Sequence, residues 1–572
     1  MIRDLITEDI RKASKKLGVS ADKIELMLPT DPKNGDYSTN LALRLASLAQ
    51  GKLTQENKQS PMEFAKKMAD SLKGQPYIEK LEVAGPGFLN FFIKPEFLVD
   101  EVEKVLKKEK VALGLSKQKV IVEFTDPNPF KEFHIGHLYS NIVGEAISRL
   151  LEATGNNLKR ANYQGDVGMH VAKTIWGIPK MLDQEGESLE DVRKKPLKAR
   201  AFFLGQAYAL GSQEFEASLE VKQEVAELNK KIFDKDPSIY PLYEEGRRWS
   251  LDYFEEIYKR LGAKFDYYYL ESEVGEVGAK VVSENLKKGI FERSDGAVVF
   301  PGEKYGLHRR VFINSLGLPT YEAKELGLAP TKYKDFAYDV SVIVTGNEIN
   351  DYFRVLFAAM GKIFPDLAAK TRHIGHGMVR MPGGKMSSRL GNVILGEWLL
   401  DEAKKRVKES FESVDENLAE EIGTGAVKYA LLKGNLGQDV NFSFEESISL
   451  NGNSGPYLQY THARAKSVLG KTPNSKLQTP NFSEATDEEM MVLRSIGHFE
   501  EVVADAAEAF APNQIANFLY DLAQKFNTLY NNLPILKAEE PARSRRLFLT
   551  EATADVLKKG LYLLGISAPE KM

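Results

Sequence analysis

Cysteine is absent from all 572 residues of the chain. Its absence excludes disulfide bonds and zinc sites built on thiolates, and it fits a reducing cellular interior. Long apolar runs are also missing, since no run approaches the roughly 18 residues of a membrane-spanning helix. The first residues, MIRDLITEDIRKASKKLG, carry charges throughout and lack the apolar core of a secretory signal. We therefore predict a cytoplasmic protein with no membrane segment.

A large charge of one sign is missing as well. The chain has 77 Lys and Arg against 81 Asp and Glu, a net charge of −4, so it has no bulk attraction for nucleic acid. Basic clusters do occur at 104–110, 193–200 and 543–546. Each of them could be a local RNA-binding patch or an ordinary solvated surface.

The length predicts two to four domains. Residues 1–108 mix helical periodicity with an alternating apolar stretch about a Gly85-Pro86-Gly87 turn, which predicts a small α+β domain. The basic, lysine-rich stretch at 104–119 is predicted to lead out of it. From 436 to 572 strand patterns stop and apolar residues recur at helical spacing. This predicts an all-helical C-terminal domain.

Between these two regions, residues 109–435 alternate strand and helix patterns. A strand and loop are predicted at 158–168 and apolar strands at 297–300 and 340–344, and their alternation with helices predicts a parallel sheet and an α/β fold. The charged stretch from about 184 to 265 lacks strand patterns and is predicted to be a helical insertion.

The stretch 120–151 carries the strongest local pattern. A nearly all-apolar run interrupted by Glu123 predicts a buried parallel strand. Pro127 and Pro129 then force an extended loop, and helical spacing begins at Ile135. Strand, tight loop and helix start form the phosphate-binding unit of doubly wound folds.

The tetrapeptide His134-Ile135-Gly136-His137 lies at the junction of loop and helix. Both histidines share one helical face, and Gly136 would let a flat ring approach the backbone. A metal site is an alternative reading of the two histidines, but no third ligand is in view. The same tetrapeptide recurs at 373–376, flanked by glycine and followed by no helical pattern. We interpret that copy as coincidental in chemistry.

A second motif, Gly383-Gly384-Lys385-Met386-Ser387-Ser388-Arg389, is a glycine-flanked loop with two cations and two hydroxyls. Such a loop can close over a polyphosphate, since its glycines allow movement and its cations balance phosphate charge. A solvated basic turn is the alternative. The pairing with the first tetrapeptide, across an α/β region, favours the phosphate-binding interpretation.

Together these motifs resemble the HIGH and KMSKS signatures of class I aminoacyl-tRNA synthetases. Within that class the whole chain resembles the arginyl-tRNA synthetase family. The resemblance is carried by EFTDPNPFKEFHIGHL (123–138), PTDPKNGDYSTNLAL (29–43), AGPGFLNFFI (84–93), NSGPYLQYTHARAKSVL (453–469) and LYLLGISAPEKM (561–572). It implies a Rossmann-like catalytic domain, a domain for the tRNA corner, and a helical anticodon-binding bundle.

The resemblance implies a ligase that activates L-arginine with ATP to arginyl-adenylate and passes the arginyl group to tRNA(Arg). Mg²⁺ would accompany ATP, with no resident metal and a monomeric chain. His134, Gly136, His137 and the loop residues Lys385, Met386, Ser387 and Ser388 would bind ATP. Where the second motif lysine is expected the chain has Ser388. Lys131 would replace that lysine, unless it is an ordinary loop lysine.

For arginine, the resemblance implies that Glu123, Asn128, Tyr321 and Glu325 form the binding site. Two carboxylates suit a planar guanidinium, which can bond to them in pairs. A structural ion pair is the alternative for Glu123, and an exposed helix start is the alternative for Tyr321 and Glu325. Many family members carry Asp where this chain has Glu325, so the reach differs by one methylene.

For tRNA, the resemblance implies contacts by Phe88 and Asn90 in the N-terminal domain. Tyr460, Arg464, Tyr530 and Met572 would lie where the anticodon is read, with aromatic stacking on bases. Core packing is the alternative for Phe88 and for the tyrosines. Two other functions remain open at this point: a class I enzyme for lysine, and an inactive synthetase-like RNA-binding protein.

Overall fold

The computed structural model describes residues 1–19, 21, 23–29, 31–50, 60–108, 111–381, 394–412, 414–472 and 479–572. In these residues three regions follow one another along the chain, as the sequence predicts. Within them, no helix is both long enough and apolar enough to cross a bilayer.

The N-terminal region is a three-stranded antiparallel sheet with helices around it. Its elements are α1 (Ile2–Lys16), β1 (Tyr37–Thr39), α2 (Leu41–Gln50), α3 (Pro61–Leu72), β2 (Ile78–Ala84), β3 (Phe88–Ile93) and α4 (Pro95–Leu106), with a 3-10 turn at Pro32–Asn34. Strand β3 lies between β1 and β2. Leu89 and Phe91 fill the core, while Phe88 is half-buried beside the predicted glycine turn.

The central region is an α/β unit. Its elements are β4 (Lys119–Phe124), α5 (Ile135–Ala153), β5 (Asn157–Gln164), α6 (Met169–Glu185), α7 (Leu189–Lys194), α8 (Leu197–Ala217), α9 (Leu219–Phe233), α10 (Tyr240–Leu261), β6 (Tyr267–Leu270), α11 (Glu271–Leu286), β7 (Glu292–Ser294), β8 (Ala297–Phe300), β9 (Arg310–Ile313), α12 (Tyr321–Asp335), β10 (Val340–Gly346), α13 (Asn350–Ile363), α14 (Pro365–Lys370), β11 (Thr371–His376), β12 (Val379–Arg380), α15 (Gly396–Ser410) and α16 (Glu416–Leu432), with 3-10 turns at Gly302–Tyr305 and Asn347–Ile349.

Five of these strands form a parallel sheet in the order β11-β10-β4-β5-β6. The strands predicted at 120–124 and 340–344 are confirmed as β4 and β10, and the strand of the predicted strand and loop at 158–168 is β5. The prediction that 297–300 joins this sheet is wrong, because β8 pairs antiparallel with β7 and β9 in a separate sheet. A short apolar run suits either kind of strand, and pairing with close neighbours in sequence decided the outcome.

The two faces of the parallel sheet have separate cores. Val122 and Phe124 of β4 pack with α5 on one face, whereas Ile121 packs with α11, α12 and α13 on the other. Because side chains alternate along a strand, Glu123 points toward the same face as Ile121. Helices α11 and α12 pack closely there, since a Cβ on Gly278 would lie 1.8 Å from the carbonyl oxygen of Ala323.

The helical segment after β5 has a core of its own. Side chains of α6, α7, α8, α9 and α10 fill it. Phe130, from the loop after β4, is also buried in that core and stacks on Tyr243 with ring centroids 5.9 Å apart. The helical segment therefore holds one side of the loop that follows β4.

The C-terminal region is helical except for β13 (Val440–Asn441), which pairs with β12. Its helices are α17 (Phe444–Ser447), α18 (Gly455–Leu469), α19 (Asp487–Gly497), α20 (Phe499–Glu508), α21 (Pro512–Asn532) and α22 (Ala542–Leu563). Part of the basic cluster at 543–546 is buried. Arg545 and Arg546 lie inside the bundle and both pair with Glu489, at 3.0 and 2.7 Å.

The N-terminal region rests on the C-terminal bundle. Arg3 donates two hydrogen bonds to Asp505, at 2.5 and 2.7 Å, and the hydroxyl of Tyr37 donates to Glu501 at 2.8 Å. Arg494 donates to the buried Asp36 at 2.9 Å. These pairs join residues more than 450 positions apart in the sequence.

Candidate active site

The first HIGH tetrapeptide begins helix α5, directly beyond the carboxyl end of β4. His134 is the N-cap, and its Nδ1 accepts hydrogen bonds from the backbone amides of Gly136 and His137, at 3.1 and 3.4 Å. Because Nδ1 accepts, the proton of a neutral ring lies on Nε2. A Cβ on Gly136 would lie 2.9 Å from the ring of His134, so glycine makes room for that ring.

The two histidine rings stack with centroids 3.6 Å apart. Burial, followed by the ammonium of Lys131, lowers the pKa of His134 to about 4. Burial, followed by the neighbouring His134 and Lys131, lowers the pKa of His137 well below its ordinary value. Both rings are therefore neutral at pH 7 and can act as hydrogen-bond donors at a helix N-terminus, where anions are favoured.

The loop from β4 to α5 has an unusual backbone. Thr125, Asp126 and Phe130 have φ angles of 83°, 46° and 67°, a left-handed conformation that a β-branched residue such as Thr125 rarely adopts. Its amide donates to the hydroxyl of Ser140 at 3.1 Å, and its own hydroxyl accepts from Asn141 at 2.9 Å. Helix α5 therefore holds the strained turn in place.

Glu123 lies on β4 and faces α12, and with Asp126 and Glu325 it forms a group of acids that we call the acidic pocket. Its side chain is almost fully buried, and Oε2 accepts a hydrogen bond from Nζ of Lys332 at 2.5 Å. The other oxygen, Oε1, is buried without a hydrogen-bond partner in the structure. The alternative reading of Glu123 as an ion-paired residue thus describes Oε2, whereas Oε1 has no hydrogen-bond partner.

Glu325, two turns before Lys332 on α12, adds a second carboxylate. Burial and the charge of Glu123 raise the pKa of Glu325 to about 8, although Lys332 acts in the opposite direction. Burial and Glu123 also raise the pKa of Asp126 well above its ordinary value, against a hydrogen bond from the amide of Tyr163. The charge of Glu123 therefore acts on both of the other acids.

The other two residues predicted to bind arginine, Tyr321 and Asn128, lie beside Lys324 and Gly165. Tyr321 begins α12 and is 55% exposed, with Nζ of Lys324 5.0 Å from its ring centroid. Lys324 in turn pairs with the buried Glu271 at 2.5 Å. The side-chain oxygen of Asn128 lies 2.3 Å from where a Cβ on Gly165 would be, so only glycine leaves it that position.

Lys131 lies close to both histidines but is held by the helical segment. Its Nζ is 4.6 Å from the ring centroid of Tyr208 on α8. Lys131 was predicted to replace the second lysine of the KMSKS-like loop. That loop lies outside the described residues, with Lys385, Met386, Ser387 and Ser388.

The second HIGH tetrapeptide forms strand β11, the edge of the parallel sheet. His373 stacks on Phe353 with centroids 3.9 Å apart and contacts the hydroxyl of Thr345 at 2.7 Å. His376 lies at the carboxyl end of the strand, with Nε2 buried and unpartnered. The two copies of the tetrapeptide therefore have different structures, a helix start and a strand.

In the residues that the structure describes, no group of three or more His, Asp and Glu side chains is arranged to hold an ion. The histidine pair of the first HIGH tetrapeptide has no third ligand of these types within that part of the chain.

The predicted tRNA-contact residues of the N-terminal region lie on β3. Phe88 is half-buried at its start. Asn90 is buried, and its side-chain oxygen accepts a hydrogen bond from Ser38 at 2.7 Å. Of the two, Phe88 offers the more accessible side chain.

Three predicted anticodon-contact residues come together in the C-terminal bundle. The guanidinium of Arg464 lies between two rings, 4.8 Å from the centroid of Tyr460 and 5.0 Å from that of Tyr530. Asn527 accepts a hydrogen bond from Arg464 at 2.6 Å. Met572 lies elsewhere, packed against the apolar cluster of α15 and α16.

Sequence analysis missed three polar groups of the pocket. Lys332 is the partner of Glu123, the hydroxyl of Tyr163 is buried without a hydrogen-bond partner, and the hydroxyl of Tyr269 is buried near Glu123 and Asp335. The signal for Lys332 was its spacing of seven residues from Glu325, which places both on one helical face. The tyrosines carried no signal, since aromatic residues are common in buried strands.

Family models match almost the whole chain. The model described as "tRNA synthetases class I (R), catalytic domain" matches residues 101–444. The "Arginyl tRNA synthetase N terminal domain" model matches 1–93, and the "DALR anticodon binding domain" model matches 458–572.

Curated relatives and solved structures give the same result. An "Arginine--tRNA ligase" of Fusobacterium nucleatum is 33% identical over 568 residues, covering 96% of this chain and 95% of that protein. One from Parabacteroides distasonis is 30% identical, covering 90% and 92%. The solved arginyl-tRNA synthetase of Thermus thermophilus is 26% identical over the full length of both chains, with a TM-score of 0.80. That of Plasmodium falciparum, at 20% identity and a TM-score of 0.82, covers 100% of this chain and 99% of that one and shares the fold.

Proposed function

Because the chain belongs to the arginyl-tRNA synthetase family, we propose that its active site lies at the carboxyl edge of the parallel sheet. The chain is an arginine–tRNA ligase. It activates L-arginine with ATP to arginyl-adenylate and transfers the arginyl group to the 3′ end of tRNA(Arg), releasing AMP and pyrophosphate. The proposal concerns which residues carry out each part.

Glu123 and Glu325 would bind the guanidinium of arginine. The observation that carries this assignment is the buried, unpartnered Oε1 of Glu123 beside a second carboxylate. A guanidinium offers donors in one plane, so it can satisfy both carboxylates at once. Tyr321 and Asn128 would fix the rest of the amino acid.

His134 and His137 would donate to the phosphates of ATP, with Gly136 beneath the adenine. In the activation step a carboxylate oxygen of arginine attacks the α-phosphorus, and the bond from that phosphorus to the bridging β-oxygen breaks. This displacement needs positioning and charge stabilisation more than proton transfer. The low pKa of His134, about 4, supports a neutral donor that does not change its charge near pH 7.

Lys385 would hold the β- and γ-phosphates, with Met386, Ser387 and Ser388 completing the loop over ATP. Lys131 would supply the second cation that Ser388 does not. Its nearness to both histidines supports this role, because its charge contributes to lowering the pKa of each.

Mg²⁺ would enter with ATP, where it neutralises phosphate charge. The described residues contain no prepared group of three or more ligands, which suits an ion held mainly by phosphate oxygens and water. We propose that no resident metal is required.

For tRNA, we propose that Phe88 and Asn90 contact the corner of the molecule, and that Tyr460, Arg464, Tyr530 and Met572 contribute to anticodon binding. The guanidinium between the two tyrosine rings supports the second assignment, because such planar groups stack well on splayed bases. The domain boundaries 1–108, 109–435 and 436–572, with an insertion at about 184–265, are part of the same proposal.

We further propose that the chain acts as a monomer in the cytoplasm. One chain supplies Glu123, Glu325 and both histidines, so no second copy is needed to complete the site. Light scattering on the purified protein would measure its mass directly.

The test is arginine-dependent exchange of labelled pyrophosphate into ATP, with tRNA(Arg) present. We expect exchange with arginine and not with lysine, and loss of most arginine-dependent exchange in Glu123→Gln. Exchange with lysine alone would contradict the specificity. No exchange with any amino acid would instead favour an inactive RNA-binding protein.

A further inference from the structure

We propose that Lys332 is a specificity-determining positioning residue, which holds Oε2 of Glu123 and thereby directs Oε1 to the substrate guanidinium. The inference rests on the arginine pocket proposed above and adds a residue that acts through Glu123 without touching arginine. The ion pair with Lys332 would hold the carboxylate of Glu123 in one position and keep it ionised before arginine binds.

The first observation is the geometry of the pair. Nζ of Lys332 lies 2.5 Å from Oε2 of Glu123 and 3.4 Å from the hydroxyl of Ser341. All three residues are 2% exposed or less. A buried ion pair of this kind seldom adds much net stability. Its presence beside the proposed arginine site therefore calls for a functional explanation.

The second observation is the direction from which Lys332 approaches. Helix α12 runs from Tyr321, at the carboxyl edge of the sheet, to Asp335, shortly before β10 begins at the opposite edge. Lys332 is seven residues beyond Glu325, roughly 10 Å further along the helix at 1.5 Å per residue. The ammonium of Lys332 thus approaches Glu123 from the amino edge of the sheet. A substrate that enters past Tyr321, at the carboxyl edge, would contact Oε1 of Glu123.

The third observation is the charge balance of the pocket. Burial alone would lower the pKa of Lys332, but Glu123 and its neighbours raise that pKa above the ordinary value, so the residue stays an ammonium. Without it, Asp126 and Glu325 would lose the ammonium that opposes the rise of their pKa values. The other titratable groups that face the pair are Asp126, Tyr163, Tyr269, Glu325 and Tyr338.

The consequence for specificity follows from the shapes of the two cations. A guanidinium spreads its charge over a plane and can donate to Oε1 of Glu123 and to Glu325 together. A lysine substrate would bring a compact ammonium toward the ammonium of Lys332, and like charges in a buried site repel strongly. Lys332 would therefore favour arginine over lysine.

The experiment compares Lys332→Met with Lys332→Arg in the full-length enzyme. For Lys332→Met we expect the KM for arginine to rise on the order of 30- to 100-fold, with the KM for ATP nearly unchanged. The rise should shrink as the pH increases, because the carboxylates left without the ammonium take up protons at low pH. Lys332→Arg keeps the charge and should recover most of the affinity.

The matched control is Lys559→Met, which removes a buried lysine of α22 outside the pocket. It should alter thermal stability without giving the KM for arginine a new pH dependence. If Lys332→Met does not fold, Glu123→Gln/Lys332→Met removes both charges of the pair together. When Lys332 acts through Glu123, this double variant binds arginine no more weakly than Glu123→Gln alone.

Three results would overturn the inference: a wild-type KM for arginine in Lys332→Met, an equal rise in the KM for ATP, or a double variant much weaker than Glu123→Gln. Failure of the proposed function would look different. In that case the wild-type enzyme would show no arginine-dependent exchange, or Glu123→Gln would keep its affinity for arginine.

Discussion

Arginine should bind more tightly as the pH rises from 6 to 8, and Glu325 is the group responsible. Burial and the charge of Glu123 raise its pKa to about 8 in the free enzyme. A guanidinium favours the ionised carboxylate, so binding must release the proton that Glu325 carries at neutral pH. Replacing the residue by Gln should remove this dependence and weaken arginine binding at every pH.

The magnitude follows from that pKa. With a value of about 8, roughly one carboxylate in 100 is ionised at pH 6, one in ten at pH 7 and half at pH 8, since each unit is a factor of ten. The Kd for arginine should therefore fall by up to about 50-fold from pH 6 to pH 8. It should level off above pH 9. The histidines do not contribute, because the pKa of His134 is about 4.

The same shift predicts how the stability of the free enzyme depends on pH. The folded state keeps the Glu325 proton between the ordinary pKa of 4.5 and about 8, whereas the unfolded state releases it. The stabilisation is therefore complete below pH 4.5 and is lost as the pH rises toward 8. The melting temperature of the wild type relative to Glu325→Gln should fall across that range.

The assay is titration calorimetry of arginine binding at pH 6, 7 and 8. Repeating it in buffers with different ionisation enthalpies counts the protons released, about 0.9 per arginine at pH 7 for a pKa of about 8. Asp126→Asn tests the other raised carboxyl of the pocket. Lys428→Gln is the second control, because burial lowers the pKa of Lys428 to about 7 at a site outside the pocket.

Two results would refute the reasoning. One is a Kd for arginine that stays flat between pH 6 and 8. The other is a pH dependence that persists in Glu325→Gln, or that disappears in Lys428→Gln while Glu325 is intact. Either result would mean that Glu325 does not face the guanidinium.

Further predictions concern three other parts of the molecule. His134→Asn keeps an N-cap oxygen but removes the ring donor, so kcat for pyrophosphate exchange should fall about 100-fold; a loss below fivefold would exclude a role on phosphate. Arg464→Ala should raise the KM for tRNA(Arg) about tenfold, measured by aminoacylation, and leave the Kd for arginine unchanged; a change in arginine binding alone would contradict the anticodon assignment. Gly278→Ala should lower stability by about 1–3 kcal/mol in thermal unfolding, because its Cβ would overlap the carbonyl oxygen of Ala323. Gly361→Ala, a helical glycine with open space around its Cβ, is the control, and equal losses in both would mean that overlap is not the cause.

Local pattern predicted the central strand-loop-helix well. The apolar run of β4 and the helical spacing of α5 each depend on neighbouring residues, and the prolines between them exclude helix without reference to the rest of the chain. The pattern failed for β8, which has the composition of a parallel strand but pairs in a hairpin. It also did not predict β11, whose glycine and histidines are poor strand formers.

The sequence by itself determined the fold class, the order of the three regions and the residues around the first HIGH motif, because those signals are periodic or adjacent. Only the tertiary structure decided how the pocket is charged. Lys332 pairs with Glu123, which is 209 positions away in the sequence. Lys131, in the loop after β4, contacts the ring of Tyr208 on helix α8. The resemblance singled out Lys131, and helical spacing places Lys332 on the face of Glu325, but neither signal identifies the partner of the lysine. Their meaning depends on which buried carboxylate or ring the packing places beside them, and side-chain periodicity within one element carries no information about that.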